Sequence, residues 1–282
     1  MDQIRLTKQD VWDLLPDRPH NVHKGSVGKV LLLCGSVGYT GAPALASMGA
    51  LRCGAGMVYL AVPQSIYTIE AIKLTEPVVQ PLPEEDGMFC MRALKKICRM
   101  MDGMDAVLIG PGVGRSAQAQ EVVRAVLTEF MGPVVLDADG IFAVSKHKDI
   151  LRDRQSPVIL TPHEGEFSRL MGYNPTQRVE SAVAAASELG QILLLKGPET
   201  VITDGTKVFV NPTGNPGMAV GGCGDALSGM ITALLGQKLS PINAAACGAW
   251  LHGAAGDICA EELGMYGMLP TDMLNVLPRL LK

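Results

Sequence analysis

Short aliphatic runs bounded by glycine or polar residues recur along the chain. The six clearest runs lie at residues 30–33, 57–62, 106–109, 134–136, 158–160 and 192–195. Continuous apolar runs of this length are typical of strands that are covered on both faces. Helical patterns separate most of them, at residues 42–52, 117–130 and 179–189. This alternation predicts an α/β fold in three layers, with a mostly parallel central sheet and helices on both faces.

The second half of the chain adds a hairpin and a helical region. Two β-branched runs between residues 201 and 210 flank Asp204, Gly205 and Thr206, a pattern that predicts an antiparallel hairpin. The last third is helical in pattern, and residues 243–260 are rich in alanine and glycine, which suits close helix packing. No linker, repeat or low-complexity segment interrupts the pattern, so we expect residues 1–282 to form a single domain.

Composition narrows the class of protein. Hydrophobic residues make up 48% of the chain, which is enough for a large core, and the net charge of −4 argues against nucleic-acid or anionic-membrane partners. The seven cysteines form no CxxC pair and have no metal-ligand spacing, which favours reduced thiols in the cytoplasm. The longest uncharged stretch, residues 30–51, is broken by glycines and a proline, so the sequence predicts no membrane helix.

Glycines and functional side chains follow five of the predicted strands. The segments concerned are residues 35–42, 110–114, 137–140, 161–166 and 196–200. Because the carboxyl ends of parallel strands meet at one edge of a sheet, we expect these segments to converge on a single site.

The segment before the predicted helix at residues 226–236 contains Gly221, Gly222 and Gly224, followed by Asp225. Glycines at a helix N-terminus let backbone N–H groups approach an anion closely, which suits a transferring phosphate. Asp225 then either takes a proton from an attacking hydroxyl or caps its helix. Walker A and Rossmann glycine patterns are absent from the sequence.

The other candidate residues each have a structural alternative. Lys196 either meets nucleotide phosphates or is a solvated lysine in a turn, and His163 is either a ligand or a surface histidine. Asp137 and Asp139 either hold a metal–nucleotide complex or cap the next helix, and we favour capping.

Two small residues, Ala42 and Gly112, leave room for a flat ligand, or they simply form tight turns.

Taken in order, the motifs resemble those of the NAD(P)H-hydrate dehydratase family of the ribokinase-like superfamily. They are His23-Lys24-Gly25, Gly110-Pro111-Gly112-x-Gly114, Leu136-Asp137-Ala138-Asp139, Thr161-Pro162-His163-x-Gly165-Glu166, Lys196-Gly197 and Asn215-Pro216-Gly217-Met218-Ala219-x-Gly221-Gly222-x-Gly224-Asp225. The resemblance extends from about residue 20 to the end, and the last motif is the most specific.

The resemblance implies a metabolite-repair lyase. Members of this family dehydrate the S epimers of NADHX and NADPHX, the hydrated forms of NADH and NADPH, with ADP or ATP as co-substrate and Mg²⁺ accompanying the nucleotide. We expect ADP, which would leave phosphate and AMP. The resemblance implies that Ala42, Gly112, His163 and Asp225 contact the hydrate, with Asp225 as the catalytic base.

The same resemblance assigns the remaining site residues and partners. Lys196, Gly197, Pro198, Glu199, Thr200 and Gly224 would contact the nucleotide, and the amides of Gly222, Cys223 and Gly224 would form an anion hole. The metal ligands stay unassigned. We expect no fused epimerase domain, a separate epimerase as functional partner, and a homotetramer supported by the helix at residues 243–260 with an exposed Trp250.

One departure from the family pattern and two alternative functions remain. Position 223 is Cys where many relatives have Thr, so a hydroxyl contact to phosphate would be lost.

A ribokinase-like kinase for a hydroxymethyl-pyrimidine, a thiazole alcohol or a sugar would use the same glycines and base. A catalytically silent nucleotide-binding protein is the third possibility, and the presence of Asp225 argues against it.

Overall fold

The computed structural model describes residues 2–281 of the chain. Its strands are β1 (Gln3–Arg5), β2 (Lys29–Leu33), β3 (Met57–Pro63), β4 (Val78–Leu82), β5 (Glu84–Glu85), β6 (Met88–Phe89), β7 (Ala106–Ile109), β8 (Val134–Leu136), β9 (Val158–Leu160), β10 (Ile192–Leu195), β11 (Thr200–Thr203) and β12 (Val208–Asn211). Its α-helices are α1 (Lys8–Leu14), α2 (Gly41–Arg52), α3 (Tyr67–Lys73), α4 (Leu94–Met101), α5 (Ala117–Glu129), α6 (Asp139–Val144), α7 (Asp149–Asp153), α8 (Glu164–Met171), α9 (Arg178–Leu189), α10 (Cys223–Gly236), α11 (Pro241–Leu263) and α12 (Pro270–Leu280). Three short 3₁₀ helices lie at Gln64–Ile66, Met91–Ala93 and Pro216–Met218.

One ten-stranded sheet forms the centre of the molecule. Its strand order is β1-β12-β11-β10-β9-β8-β7-β2-β3-β4, and β5 pairs with β6 beside it. Neighbouring strands from β10 across to β4 are parallel, whereas β11 is antiparallel to both β10 and β12. The mostly parallel sheet and the hairpin at residues 200–211 confirm the sequence-based predictions.

Alternate residues of the strands pack into two separate cores. In β2, Val30 and Leu32 belong to the core beneath α2, α10 and α11, whereas Leu31 and Leu33 face the core beneath α4, α5 and α9. Strands covered on both faces need apolar side chains at every position, which explains the continuous aliphatic runs. The predicted three-layer arrangement is confirmed.

Some elements differ from the predictions. The sequence pattern did not indicate β1, α1 or β4, and α10 begins at Cys223, three residues before the predicted start at residue 226. The expectation of an exposed Trp250 is wrong. Its indole is buried in the core and meets the ring of Trp12 on α1 edge-to-face, with 5.8 Å between the centroids.

The α2 and α10 helices approach each other unusually closely. A Cβ added to Gly49 would lie 2.4 Å from the carbonyl oxygen of Ala226, and a Cβ added to Gly229 would lie 2.0 Å from the carbonyl oxygen of Ala46. Both contacts are with backbone, which cannot rotate away, so only glycine fits at either position. The two helices are therefore fixed against each other directly behind the edge where the sequence places the site.

Among residues 2–281, none of the helices combines the length and the apolar character that crossing a bilayer would need.

Candidate active site at the carboxyl edge of the sheet

The strand order of the sheet reverses at β2, which lies between β7 and β3. In open α/β sheets the crevice beyond the carboxyl ends of the strands at such a point is where ligands bind. The loops after β2 and β7 are tied together, since Ser36 Oγ donates to the carbonyl oxygen of Gly112 at 2.7 Å. Gly112 has φ +65°, and a Cβ added there would lie 3.0 Å from Cβ of Tyr39 and 3.3 Å from Cβ of Ala42. The structure thus packs Gly112 directly against Tyr39 and Ala42, where a side chain at position 112 would be crowded.

Lys196 reaches into the site from the end of β10. Its ammonium donates to Asp137 Oδ1 at 3.0 Å and lies 3.7 Å from Glu166 Oε2. Burial on its own would lower the pKa of Lys196, but the neighbouring Asp137 and Glu166 more than offset this and raise it. Lys196 is therefore a partly buried, charged group that is paired with carboxylates, and the solvated-turn alternative is wrong.

The glycine segment, residues 221–224, places the N-terminus of α10 next to Lys196. Gly222, with φ +99°, is the residue that precedes the helix, and Asp225 is the third helical residue. A Cβ added to Gly224 would lie 3.3 Å from Lys196 Nζ and 3.9 Å from Asp137 Oδ2. First-turn amides have no carbonyl four residues earlier in the helix, so they remain available to an anion. The backbone N–H groups at the start of α10 and the ammonium of Lys196 thus lie close together.

Asp225 has the properties of a general base. Its side chain makes no capping hydrogen bond to α10, so the capping alternative is wrong for this residue. Burial and the charge of Asp137 raise its pKa to about 7, against the smaller opposing effect of Lys196. A carboxylate with a pKa near the working pH accepts a proton efficiently and still ionises.

His163 caps α8 with its ring. Nδ1 accepts from the backbone amides of Gly165 and Glu166 at 3.0 and 3.3 Å, which leaves the proton of the neutral ring on Nε2. Glu166 in turn accepts from the backbone N–H of His163 at 2.9 Å. The ring is exposed at the sheet edge, and its Nε2 atom lies 3.5 Å from Glu166 Oε1.

Asp137 and Asp139 do not cap the following helix, contrary to the alternative we favoured. The residue before α6 is Ala138, and no side chain caps this helix. Asp137 Oδ1 accepts from the amide of Ala138 at 2.9 Å besides holding Lys196. Asp139 accepts from the amide of Gly114 at 3.1 Å and from Arg115 Nε at 2.7 Å. Asp139 thereby fixes the loop after β7.

The remaining predicted nucleotide residues form the turn between β10 and β11. Gly197 has φ +140°, and Thr200 Oγ1 donates to its carbonyl oxygen at 2.9 Å. The carboxylate of Glu199 points away from Lys196 and pairs with Arg5 at 2.5 Å, on the exposed end of the hairpin. Glu199 and the adjoining Pro198 therefore offer backbone groups, and no side-chain charge, to a ligand beside Lys196.

The side chain of Cys223 is turned away from the glycine segment. It is buried in an apolar cluster with Met268 and Met273, and its Sγ lies 3.9 Å from Met273 Sδ. Its amide donates to the carbonyl oxygen of Val220 at 3.4 Å, a long hydrogen bond. The thiol is therefore a packing group at this position, and the amides of Gly222 and Gly224 are the freer donors.

Two further residues, Glu166 and His252, were not predicted as site residues. Glu166 lies three residues after His163, which is the spacing of a capping box. His252 on α11 is buried with no hydrogen-bond partner for Nε2 within residues 2–281, and burial lowers its pKa to about 4. Nothing in the local pattern distinguishes His252 from a core residue of a small-residue helix.

Within residues 2–281, no group of three or more His, Cys, Asp or Glu side chains has the geometry of a metal centre. Mg²⁺ bound with a nucleotide needs only one or two carboxylates, because phosphate oxygens and water complete its coordination. Asp137 and Glu166 flank Lys196 at the N-terminus of α10 and are carboxylates of the required type.

Comparison with known proteins identifies the family. A model of the NAD(P)H-hydrate dehydratase family matches residues 30–279, which include every segment of the site just described. The chain belongs to this family. The match extends from β2 to α12 and so includes all strands of the ten-stranded sheet except β1.

Individual relatives agree with the family match. A bifunctional NAD(P)H-hydrate repair enzyme from Moorella thermoacetica is 43% identical over 275 residues, covering 95% of this chain and 52% of the relative. The chain thus spans about half the length of the curated relatives it matches.

Solved structures match at full length. The ADP/ATP-dependent NAD(P)H-hydrate dehydratase from Bacillus subtilis, co-crystallised with ATP and Mg²⁺, has a TM-score of 0.86 at 33% identity, covering 99% of this chain and 98% of that one. A ribokinase-like superfamily protein from Enterococcus faecalis has a TM-score of 0.87 at 28% identity, covering 98% and 94%. The ribokinase-like fold expected from the sequence is confirmed.

Proposed function

We propose that this protein catalyses the nucleotide-dependent dehydration of (S)-NADHX and (S)-NADPHX to NADH and NADPH, releasing phosphate and, from ADP, AMP. One observation carries the proposal. Asp225, with a pKa of about 7, stands in the first turn of a glycine-led helix beside the charged Lys196. Phosphoryl transfer to a hydroxyl requires a base next to groups that bind the phosphate anion. The family and the Bacillus subtilis relative support the choice of substrate.

The proposed reaction begins with the ring hydroxyl of the hydrate. Asp225 takes its proton as the oxygen attacks the terminal phosphorus of the nucleotide, and the phosphoanhydride bond breaks to release AMP from ADP. The amides of Gly222 and Gly224, with Lys196, stabilise the charge on the phosphoryl oxygens. The C–O bond of the phosphate ester then breaks and phosphate leaves, the neighbouring ring carbon gives its proton to the departing phosphate or to water, and the C–H electron pair forms the double bond of the reduced nicotinamide.

The contacts proposed from the sequence fit this reaction. Ala42 and Gly112 would contact the hydrate where their small size leaves their backbone accessible, and the Nε2–H group of His163 would donate to it. Lys196, Gly197 and Gly224 would contact the nucleotide phosphates, with the turn through Pro198, Glu199 and Thr200 beside them. The anion hole would rest mainly on Gly222 and Gly224, because the amide of Cys223 is partly engaged.

Mg²⁺ would accompany the nucleotide, as the crystallisation of the Bacillus subtilis relative with ATP and Mg²⁺ suggests. Asp137 and Glu166 would hold it, directly or through water. The ion supplies neutralisation of the phosphate charge when it is bound.

The proposal includes the wider setting of the enzyme. We propose a cytoplasmic protein whose residues 1–282 act as one dehydratase domain, with a separate epimerase supplying the S epimer. A homotetramer remains part of the proposal, but the burial of Trp250 removes that side chain as a contact between subunits.

A ribokinase-like small-molecule kinase is the second candidate, because the glycine segment and Asp225 would serve both reactions. The two functions differ in their products. A kinase releases a stable phosphorylated alcohol, whereas the dehydratase releases free phosphate and a reduced nicotinamide.

A direct assay tests the function. Purified protein is incubated with NADHX, Mg²⁺ and either ADP or ATP, and the absorbance of reduced nicotinamide is followed together with free phosphate. We expect recovery with ADP and one phosphate for each NADH formed. Protein that binds ADP in calorimetry but yields neither product would favour the kinase.

The pH dependence of the reaction follows from Asp225. Because the charged carboxylate is the base and its pKa is raised to about 7, kcat/KM should rise as the pH increases through that value. Asp137→Asn removes a negative charge that raises this pKa, so the acid limb should move to lower pH whatever happens to the maximal rate. A limb that stays in place in this variant would mean that another group is titrating.

A further inference from the structure

Arg178, the first residue of α9, makes an unusual set of contacts at the end of β10. Its Nη2 atom donates to the carbonyl oxygens of Leu195 and Lys196 at 3.0 and 3.2 Å, and its Nη1 atom pairs with Glu164 Oε1 at 2.5 Å. We infer that Arg178 is a positioning residue for nucleotide binding, which holds the backbone of Lys196 so that its ammonium meets the phosphates. This inference rests on the proposed function.

The contact between Arg178 and the following glycine is just as close. A Cβ added to Gly197 would lie 2.9 Å from Nη2 and 3.1 Å from Nη1 of Arg178, and Gly197 has φ +140°. The guanidinium plane therefore lies directly against the Cα atom of Gly197. Any other residue at position 197 would displace either the arginine or the turn that leads to Thr200.

The backbone needs this support because the sheet ends before Lys196. The register of β10 ends at Leu193 on the β9 side and at Leu195, paired with Val201, on the β11 side, so Lys196 lies beyond both ladders. Arg178 provides donors there, and the amide of Lys196 donates to the carbonyl oxygen of Pro162 at 2.8 Å. Buried backbone groups without such partners would weaken the turn.

Arginine suits this role better than lysine. A planar guanidinium presents several N–H groups in fixed directions and can satisfy two carbonyls and a carboxylate at once, whereas an ammonium is a single point charge. Glu164 neutralises the charge, and both terminal nitrogens are already engaged with protein. Arg178 thus acts through Lys196 and Gly197 rather than by touching the nucleotide.

A double-mutant cycle with Lys196 tests the inference. Arg178→Met should raise the KM for ADP at least about tenfold, as expected when hydrogen bonds from a charged donor are lost, and leave the KM for NADHX within about twofold. Lys196→Ala should weaken ADP binding more than NADHX binding. In the Lys196→Ala background, adding Arg178→Met should then change ADP affinity by less than about twofold, because the two residues act as one unit.

Arg152→Met is the matched control. Arg152 on α7 also pairs with a glutamate, Glu188, but it precedes β9 and so lies at the opposite edge of the sheet. This variant should leave both KM values unchanged. If Arg178→Met does not fold, Arg178→Lys replaces it in the same experiment. Lysine keeps the positive charge but lacks the paired N–H groups of the guanidinium, so this variant should lose part of the ADP affinity.

Two outcomes would overturn the inference. One is an ADP affinity that Arg178 substitutions leave unchanged, and the other is an additive loss in the Lys196→Ala background, which would mean that Arg178 acts independently of Lys196. The same changes are expected in the Kd values for ADP and NADHX, which calorimetry measures without turnover. Failure of the wild-type protein to dehydrate NADHX would therefore count against the proposed function, and not against the role of Arg178.

Discussion

Asp225→Asn is expected to lower kcat by about 1,000-fold while ADP affinity stays within a few-fold of the wild-type value. The amide keeps the size of the carboxylate but cannot accept the proton of the ring hydroxyl at neutral pH. The proposed anion site consists of backbone amides and Lys196, so the nucleotide should still bind. Single-turnover kinetics with NADHX and calorimetry with ADP measure the two effects separately.

The same substitution should not weaken the fold. The folded-state pKa of Asp225 is raised from 3.8, the ordinary pKa of aspartate, to about 7. Ionisation of this carboxylate therefore destabilises the native state increasingly as the pH rises from 3.8 to about 7. At pH 8 the asparagine variant should therefore unfold no more easily than the wild type. A large loss of stability would mean that the fall in activity reports misfolding instead of a missing base.

Asp10→Asn is a matched control for this variant. Asp10 is the third residue of α1, the position that Asp225 occupies in α10, but it accepts hydrogen bonds from Thr7 in a capping box away from the crevice. Its substitution should leave turnover unchanged. Near-normal turnover of Asp225→Asn, with Asp10→Asn behaving likewise, would remove Asp225 as the catalytic base.

Gly229→Ala is expected to lower the free energy of unfolding by about 3 kcal/mol or more. The new methyl group would lie 2.0 Å from the carbonyl oxygen and 2.8 Å from the carbonyl carbon of Ala46, and backbone atoms cannot rotate aside. The α2 and α10 helices would have to separate. Activity should fall as well, because α2 carries Ala42 and α10 carries Asp225. Denaturant titration gives the loss of stability.

Gly41→Ala separates this clash from the general effect of adding a methyl group. Gly41 begins α2, and a Cβ added there meets no atom within 4 Å. We expect this variant to be as stable as the wild type or slightly more stable, since alanine favours helix more than glycine does. If the two variants lost similar amounts of stability, close contact between α2 and α10 would not be the cause.

The sequence predicts the buried strands well because burial on both faces leaves a continuous apolar run. Elements without that signature escaped prediction. The three residues of β1 are all exposed, and β4 contains Pro81, which is uncommon inside a strand. Trp250 was misplaced because its partner, Trp12, lies on a helix far away in the chain, and local pattern carries no information about that contact.

The position of the site was predictable, whereas its internal contacts were not. Strand ends and glycines placed Lys196, His163 and Asp225 at one edge of the sheet. Lys196 and Asp137 are 59 residues apart in sequence, so their ion pair depends on the order of β8, β9 and β10 in the sheet. The capping interpretation of Asp137 failed because that tertiary contact outweighs the local preference of aspartate for helix N-termini.

The glycine contacts between α2 and α10 also bear on inhibitor design. Because backbone meets backbone at Gly49 and Gly229, α2, which carries Ala42, cannot move closer to α10, which carries Asp225. A rigid molecule that joins a nicotinamide-like ring to a phosphate at the matching separation would bind without having to close the enzyme around it. Its affinity would then depend on how stiff the linker is more than on how many contacts it makes.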